Sequence, residues 1–180
     1  MEVLKTWMAD TTHSNVEFVV RHMMISKVRG SFKKYEIVFN GDPEDLENGK
    51  ATAKIEVASI FTGENGRDDD LRSSNFFEVS KYPYITFEST KIEKVSDERY
   101  KVHGNLTIKN VTKEVVFDGE LGGKLRDPYG NQRFGFSAET SINRREFGLT
   151  WNMVLDNGGV MVGDTVKVEL SLEMVEVKQS

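Results

Sequence analysis

The sequence predicts an all-β fold: an extended eight-stranded antiparallel up-and-down barrel, with one short helix between strands 3 and 4. Three observations carry this. Apolar and polar residues alternate along most of the chain, the period of a half-buried strand. Turn-forming residues punctuate the alternation. Only one stretch, residues 67–74 (RDDDLRSS), reads as a helix, opening with acids as a first helical turn prefers. Eight one-sided strands in succession can close and so remove exposed sheet edges. A two-sheet sandwich is the structural competitor.

The elements follow in order. Val16, Phe18 and Val20 alternate with Asn15, Glu17 and Arg21 in the first strand. The second begins with Val28, Gly30 and Phe32. After Lys33-Lys34 its apolar parity flips to Tyr35, Ile37 and Phe39, which predicts a bulge or bend there. Ala51, Ala53, Ile55 and Val57 mark the third strand, Ile85 and Phe87 the fourth, and Tyr100 through Ile108 the fifth. Val115 to Leu121, Phe134 to Ile142 and Val166 to Met174 complete the set. Turn chemistry separates them at Asn40-Gly41-Asp42-Pro43, Asp97-Glu98, Asp127-Pro128-Tyr129-Gly130-Asn131 and Asn157-Gly158-Gly159. Just before strand 4, Phe76-Phe77 and Tyr82-Pro83-Tyr84 are expected to anchor the helix against one barrel end.

The chain of 180 residues reads as one domain, 1–180, large enough for a real core. Its net charge of −5 comes from scattered acids, which points away from both nucleic acid and an anionic membrane as partners. There is no cysteine, so disulfides and thiolate chemistry are excluded. No stretch reaches the length a membrane helix needs. Residues 1–15 carry no basic start followed by an apolar run, so the sequence as written is expected in the cytoplasm, or in the periplasm if a leader has been removed.

Inward positions include Gly30, Ala51, Ala53, Gly104, Gly119 and Ala138, interleaved with Phe18, Phe32, Phe87, Phe117, Phe134 and Phe136. Small residues among large ones either leave a long apolar cavity or serve taper packing where the wall curves. Both readings stand on the pattern alone.

A family resemblance rests on residues spread through the chain: Trp7 to Phe18 (WMADTTHSNVEF), His22 with Val28 to Phe32, Ser59 to Thr62, Arg67-Asp68, Leu71-Arg72-Ser73, Phe76-Phe77 and Tyr82-Pro83. It continues through Ile85 to Ser89, Gly104 to Ile108, Phe134 to Ala138, Ile142-Asn143-Arg144, Phe147-Gly148-Leu149 and Val162-Gly163-Asp164. With these motifs the chain resembles the YceI-like family, lipocalin-like barrels that bind polyisoprenoid lipids. The resemblance implies an apolar tunnel holding a long isoprenoid or a related lipid such as a quinone. It also makes a homodimer plausible. The chain departs from the pattern at Asp69-Asp70, where relatives often show Glu-His.

Inward parity and the resemblance together nominate a ligand-contacting set. From the first strands come Phe18, Val20, His22, Val28, Phe32 and Val57. Farther along come Phe87, Leu106, Phe117, Phe134, Phe136, Ala138 and Ile142. Arg144, Trp151, Met153 and Met161 complete it near the last long connection, where adaptable methionines suit a lipid mouth or ordinary packing.

Arg144 would meet an anionic head group or act as a clamp on Asp10 or Asp164. His22 is a candidate polar contact or a satisfied core histidine. Asp68-Asp69-Asp70 invites comparison with magnesium-binding clusters, but three adjacent acids on one turn point apart, and a solvated helix start is the preferred reading. His13, His22 and His103 fall on different faces, so no metal site is expected. No paired nucleophile and base and no phosphate loop is visible. The leading expectation is a binding protein for one long isoprenoid-like lipid, with no cofactor. The alternatives are an enzyme acting on an isoprenoid or quinone, and a ligand-free stress or interaction protein.

Overall fold

The computed structural model describes residues 5–153, 155, 159 and 161–178. Among them, eleven strand segments form one closed sheet. The first six are β1 (Thr6–Ala9), β2 (Asn15–His22), β3 (Ser26–Phe32), β4 (Tyr35–Asp42), β5 (Asp45–Glu56) and β6 (Ile60–Phe61). After the helix α1 (Asn65–Arg72) come β7 (Tyr84–Lys94), β8 (Arg99–Ile108), β9 (Val111–Arg126), β10 (Gln132–Asn143) and β11 (Val162–Glu176). β11 pairs with β2 along its first part and with β1 near its end, and this closes the sheet into an eight-stave antiparallel barrel.

Eleven segments make eight staves because three staves are broken. The first is β1 and β2, interrupted at residues 10–14; the second is β3 and β4, bent at Lys33-Lys34, where the parity flip places a bend; the third is β5 and β6, separated by a 3-10 turn over Val57–Ser59. Ser59 fills the gap at the second bend. Its Oγ accepts from the amides of Lys33 (3.1 Å) and Lys34 (3.0 Å) and donates to the carbonyl of Glu56 (2.6 Å). Backbone groups freed by the break are therefore still satisfied.

The helix lies between the third and fourth staves. It begins at Asn65, two residues ahead of the sequence expectation, because the Glu64 carboxylate caps it, accepting from the amides of Gly66 (2.9 Å) and Arg67 (2.6 Å). The barrel has two unlike ends. One carries the short connections 43–44, 95–98 and 127–131; there the Asp127 carboxylate accepts from the amides of Tyr129 and Asn131 and shapes its turn. The other carries the 23–25 turn, the helical connection and the long link between β10 and β11. Of the glycine turn expected in that link, Asn157 and Gly158 lie outside the described residues.

Trp7, Phe39 and Phe134 pack together at the short-turn end, with Trp7 and Phe134 edge to face at 5.0 Å. At the helical end Phe76 meets Trp151 at 5.4 Å and Phe77 meets Phe32 at 6.3 Å. The phenylalanine pair thus turns inward as an anchor. Tyr82 and Tyr84 stay outside under lysines, with Lys54 at 4.1 Å from the Tyr84 ring.

Candidate functional site

Between these two aromatic ends the barrel interior is hollow. The cavity measures about 240 Å³, far beyond the water-sized voids of an ordinary core. Its wall draws on every stave, from Val20 and Val162 near the helical end to Phe39, Phe134 and Met174 at the other. Carbon makes up almost all of it. Of the charged residues along the wall, Glu17 sends its carboxylate outward to Arg29 at 3.1 Å. Arg144 is the other.

Glycines and alanines divide the work of keeping this space open. Ala51, Ala53 and Ala138 line the cavity directly. The inward glycines instead seat phenylalanine rings from neighbouring strands: a Cβ on Gly30 would stand 2.2 Å from Phe18 Cζ, on Gly104 2.4 Å from Phe87 Cζ, and on Gly119 2.4 Å from Phe136 Cζ. Both sequence readings of the small residues therefore hold, each for its own residue type. A ring laid across a glycine lines the wall, whereas the same ring displaced by a Cβ has to move elsewhere.

Phe18, Val20, Phe32, Phe87, Leu106 and Phe117 of the nominated set line the cavity, as do Phe134, Phe136, Ala138, Ile142 and Arg144. The remaining six stand off its wall. Val57 is buried in the 3-10 turn, and Val28 lies opposite Val20 on β3. His22 ends β2 at the rim, opposite Val162. Trp151 packs against Phe76 with its ring tilted at 51°. Met161 donates its amide to the Met153 carbonyl at 3.0 Å, and the Met153 side chain is about half exposed. The nominated set left out Ile37 and Leu172, which lie on the apolar parity of their strands, and Leu71, Phe76, Phe77 and Leu149, which also line the cavity. The Leu71, Phe76, Phe77 and Leu149 contributions come from connections, where no alternation reports an inward direction.

Arg144 is 3% exposed. The 3-10 turn Arg144–Phe147 follows β10 and is held by the Asn143 side chain, which accepts from the Arg145 amide, while Gly148 closes it at φ 82°. There the guanidinium donates to four carbonyls: Gly163 (2.7 Å), Leu149 (2.5 Å), Trp151 (3.0 Å) and Val162 (3.2 Å). Asp164 lies 3.8 Å away. Burial pushes the Arg144 guanidinium below its ordinary value, and Asp164 pulls it partly back. Arg144 is thus a clamp on backbone carbonyls that tie the β10–β11 link to the start of β11. Of the two acids nominated for it, Asp164 is the neighbour.

Asp10 belongs to another cation. Arg133 reaches Asp10 (3.0 Å), Asp127 (2.7 Å) and Glu173 (2.9 Å) at the short-turn end. Asp10, His13 and Glu173 also hold ligand atoms within 4.8 Å of one another. The guanidinium already supplies positive charge to two of those carboxylates. His103 stands outside the barrel between Glu93 (3.4 Å) and Glu114 (4.0 Å), far in sequence and face from His22, so the histidines do not converge.

The three helix aspartates diverge. Asp69 pairs with Arg72 (3.1 Å), and Asp70 accepts from the Asn75 side chain (2.8 Å). Asp68 is a correction to the solvated reading: it is buried and accepts from the Thr62 amide (3.0 Å) and the Thr62 hydroxyl. Arg67 locks the same threonine from its other side, at 2.8 Å to Oγ1 and 2.9 Å to the carbonyl. The first acid of the cluster is a structural bolt between the helix and the strand edge. Among the described residues Tyr35 Oη is buried without a hydrogen-bond partner, and its ring does not line the cavity. No helix among them is long and apolar enough to cross a membrane.

A closed antiparallel barrel around an apolar lumen defines the class of small-ligand-binding barrels. The YceI-like domain model matches residues 7–174, and the chain belongs to this family. A UPF0312 protein of Staphylococcus aureus (strain bovine RF122 / ET3-1) is 41% identical over 165 residues, covering 91% of this chain and 94% of the relative. Among solved structures, BcnA of Burkholderia cenocepacia superposes with a TM-score of 0.81 at 26% identity, over 92% of this chain and 98% of that one. The YCEI protein of Campylobacter jejuni gives 0.75 at 34% identity, over 88% and 90%. A polyisoprenoid binding domain from Saccharophagus degradans shares the fold, with a TM-score of 0.69 at 15% identity, over 95% and 98%.

Proposed function

We propose that this barrel binds one long apolar lipid of the polyisoprenoid or quinone class in its lumen and shields it from water, as a carrier or store and not as an enzyme. The observation that carries this is the lumen itself: continuous, carbon-lined and flanked at each end by aromatic packing. Water inside would find almost no hydrogen-bond partners, so an apolar chain is the favoured occupant. At about 0.8 kcal/mol per buried CH₂, ten carbons supply on the order of 8 kcal/mol before ordering costs. Family membership supports the reading, and the fold likeness to a domain described as polyisoprenoid binding agrees with it.

Binding is favoured over turnover because the wall offers no acid, base or nucleophile positioned for chemistry among the described residues. Its one inward cation, Arg144, already gives four hydrogen bonds to the backbone. The test is organic extraction of the gently purified protein followed by mass spectrometry. Recovery of about one long-chain lipid per chain is expected. Consistent failure to recover or take up any such lipid would reject the reading.

A further inference from the structure

At the helical end, β2 and β3 are joined by Met23, Met24 and Ile25, and this tip faces outward. Met24 is 56% exposed and Ile25 85%. The Met23 amide donates to the Met161 carbonyl (2.7 Å), and the Met161 amide to the Met153 carbonyl (3.0 Å), so the half-exposed Met153 belongs to the same rim.

The backbone of this tip is unusual. Met23 (φ 51°) and Met24 (φ 62°) both occupy the left-handed region, and the Ile25 amide donates back to the His22 carbonyl at 3.2 Å. Such hairpin turns favour Asn-Gly, because a side-chain-bearing residue pays about 1–2 kcal/mol in that conformation. Two methionines held in that conformation store backbone strain at an exposed tip, where strain points to function.

Charge completes the pattern. Arg21 and Lys27 face each other across the two strands just below the tip, both exposed. Neither forms an ion pair among the described residues, and residues 21–27 contain no acid. One step farther down the same sheet face, Arg29 is neutralised by Glu17 (3.1 Å) and Glu169 (3.0 Å). Asp164, on the β11 segment beside Arg21, already faces Arg144 (3.8 Å) and Arg145 (3.7 Å), so on a chain of net charge −5 the tip segment itself is basic and apolar together.

We propose that the Met23–Ile25 tip is a membrane-docking element, inserting its apolar side chains among the head groups of an anionic bilayer while Arg21 and Lys27 meet lipid phosphates. Apolar side chains flanked by unpaired bases are the composition that interfacial segments use. The cavity wall begins at Val20 and Val162, beside this tip, so docking would bring the lumen to the bilayer. That last consequence rests on the lumen being a lipid site; docking itself does not.

The test is co-sedimentation of the full chain with phosphatidylcholine vesicles and with vesicles of phosphatidylcholine and phosphatidylglycerol in equal parts. Stronger partition onto the anionic vesicles is expected. The Arg21→Gln/Lys27→Gln variant should lower it about 25-fold, from about fivefold per basic residue near a charged surface. Met24→Glu/Ile25→Glu should abolish it, with unchanged circular dichroism and unchanged lipid recovery. Equal partition of the wild type onto both vesicles, or unaltered partition of both variants, would overturn the proposal. So would self-association of the wild type that Met24→Glu/Ile25→Glu removes, since a second copy would then be what covers the tip. Docking lost while the lumen still yields lipid rejects only the tip; docking kept with an empty lumen rejects only the lipid site.

Discussion

The ring of Phe18 lies across Gly30 on the adjacent strand, so close that a Cβ on Gly30 would fall 2.2 Å from its Cζ. Gly30→Ala therefore cannot keep the ring where it is, and the displaced ring crowds a wall that already includes Phe32 at 5.6 Å. Overpacking of this kind costs about 1–3 kcal/mol. Urea denaturation should show that loss, and lipid recovery should fall with it.

Ala138 lines the lumen between Gly119 and Leu170 on the flanking strands. Ala138→Phe places a ring in the cavity, so it should remove most of the recoverable lipid while the far-UV circular dichroism stays that of a β-barrel. Undiminished recovery would show that the ligand sits elsewhere.

Arg144 offers a way to separate a clamp from a head-group contact. Lysine keeps the positive charge but cannot reproduce a planar fork reaching four carbonyls. Arg144→Lys is expected to cost at least about 2 kcal/mol through unsatisfied buried carbonyls, read as a fall in the denaturation midpoint. A head-group role alone would leave stability intact and change only lipid affinity.

Asp68→Asn tests the helix bolt. It trades a buried carboxylate acceptor for an amide facing the Thr62 amide and hydroxyl, and the expected loss is about 1.5–3 kcal/mol. Magnesium should have no influence on the midpoint in either form.

The Arg133 cluster gives stability a pH dependence with a definite sign. The Thr12 hydroxyl and Arg133 lower the Asp10 carboxyl from 3.8 to about 2. Arg133 and the Asn131 amide hold Asp127 well below the carboxylate range. Carboxylates depressed in the folded state contribute fully above their unfolded values and lose that contribution as pH falls through the folded ones. The melting temperature should therefore drop on acidification from about pH 4 toward pH 2. Arg133→Met should flatten that drop; a profile of unchanged steepness in the variant would contradict the assignment.

The barrel was legible because period-two alternation is a property of each strand alone. The bend at Lys33-Lys34 showed in the parity flip between Phe32 and Tyr35. Other features were not legible. Thr6–Ala9 is too short to display alternation, although it closes the barrel by pairing with both β4 and β11. The partners of Arg133 and Arg144 depend on connections that bring residues far apart in sequence to one point, such as Arg133 and Asp10. Within the lumen, parity identified the strand residues, but the aromatic plug came from irregular segments, and no pattern told glycines that seat rings from alanines that line space.

The most direct measurement is a crystal structure of the protein purified without detergent. Continuous electron density for one extended apolar chain, running through the lumen between Val20 and Phe134, is predicted. A lumen filled by ordered water, or closed by side chains meeting across its centre, would contradict the account.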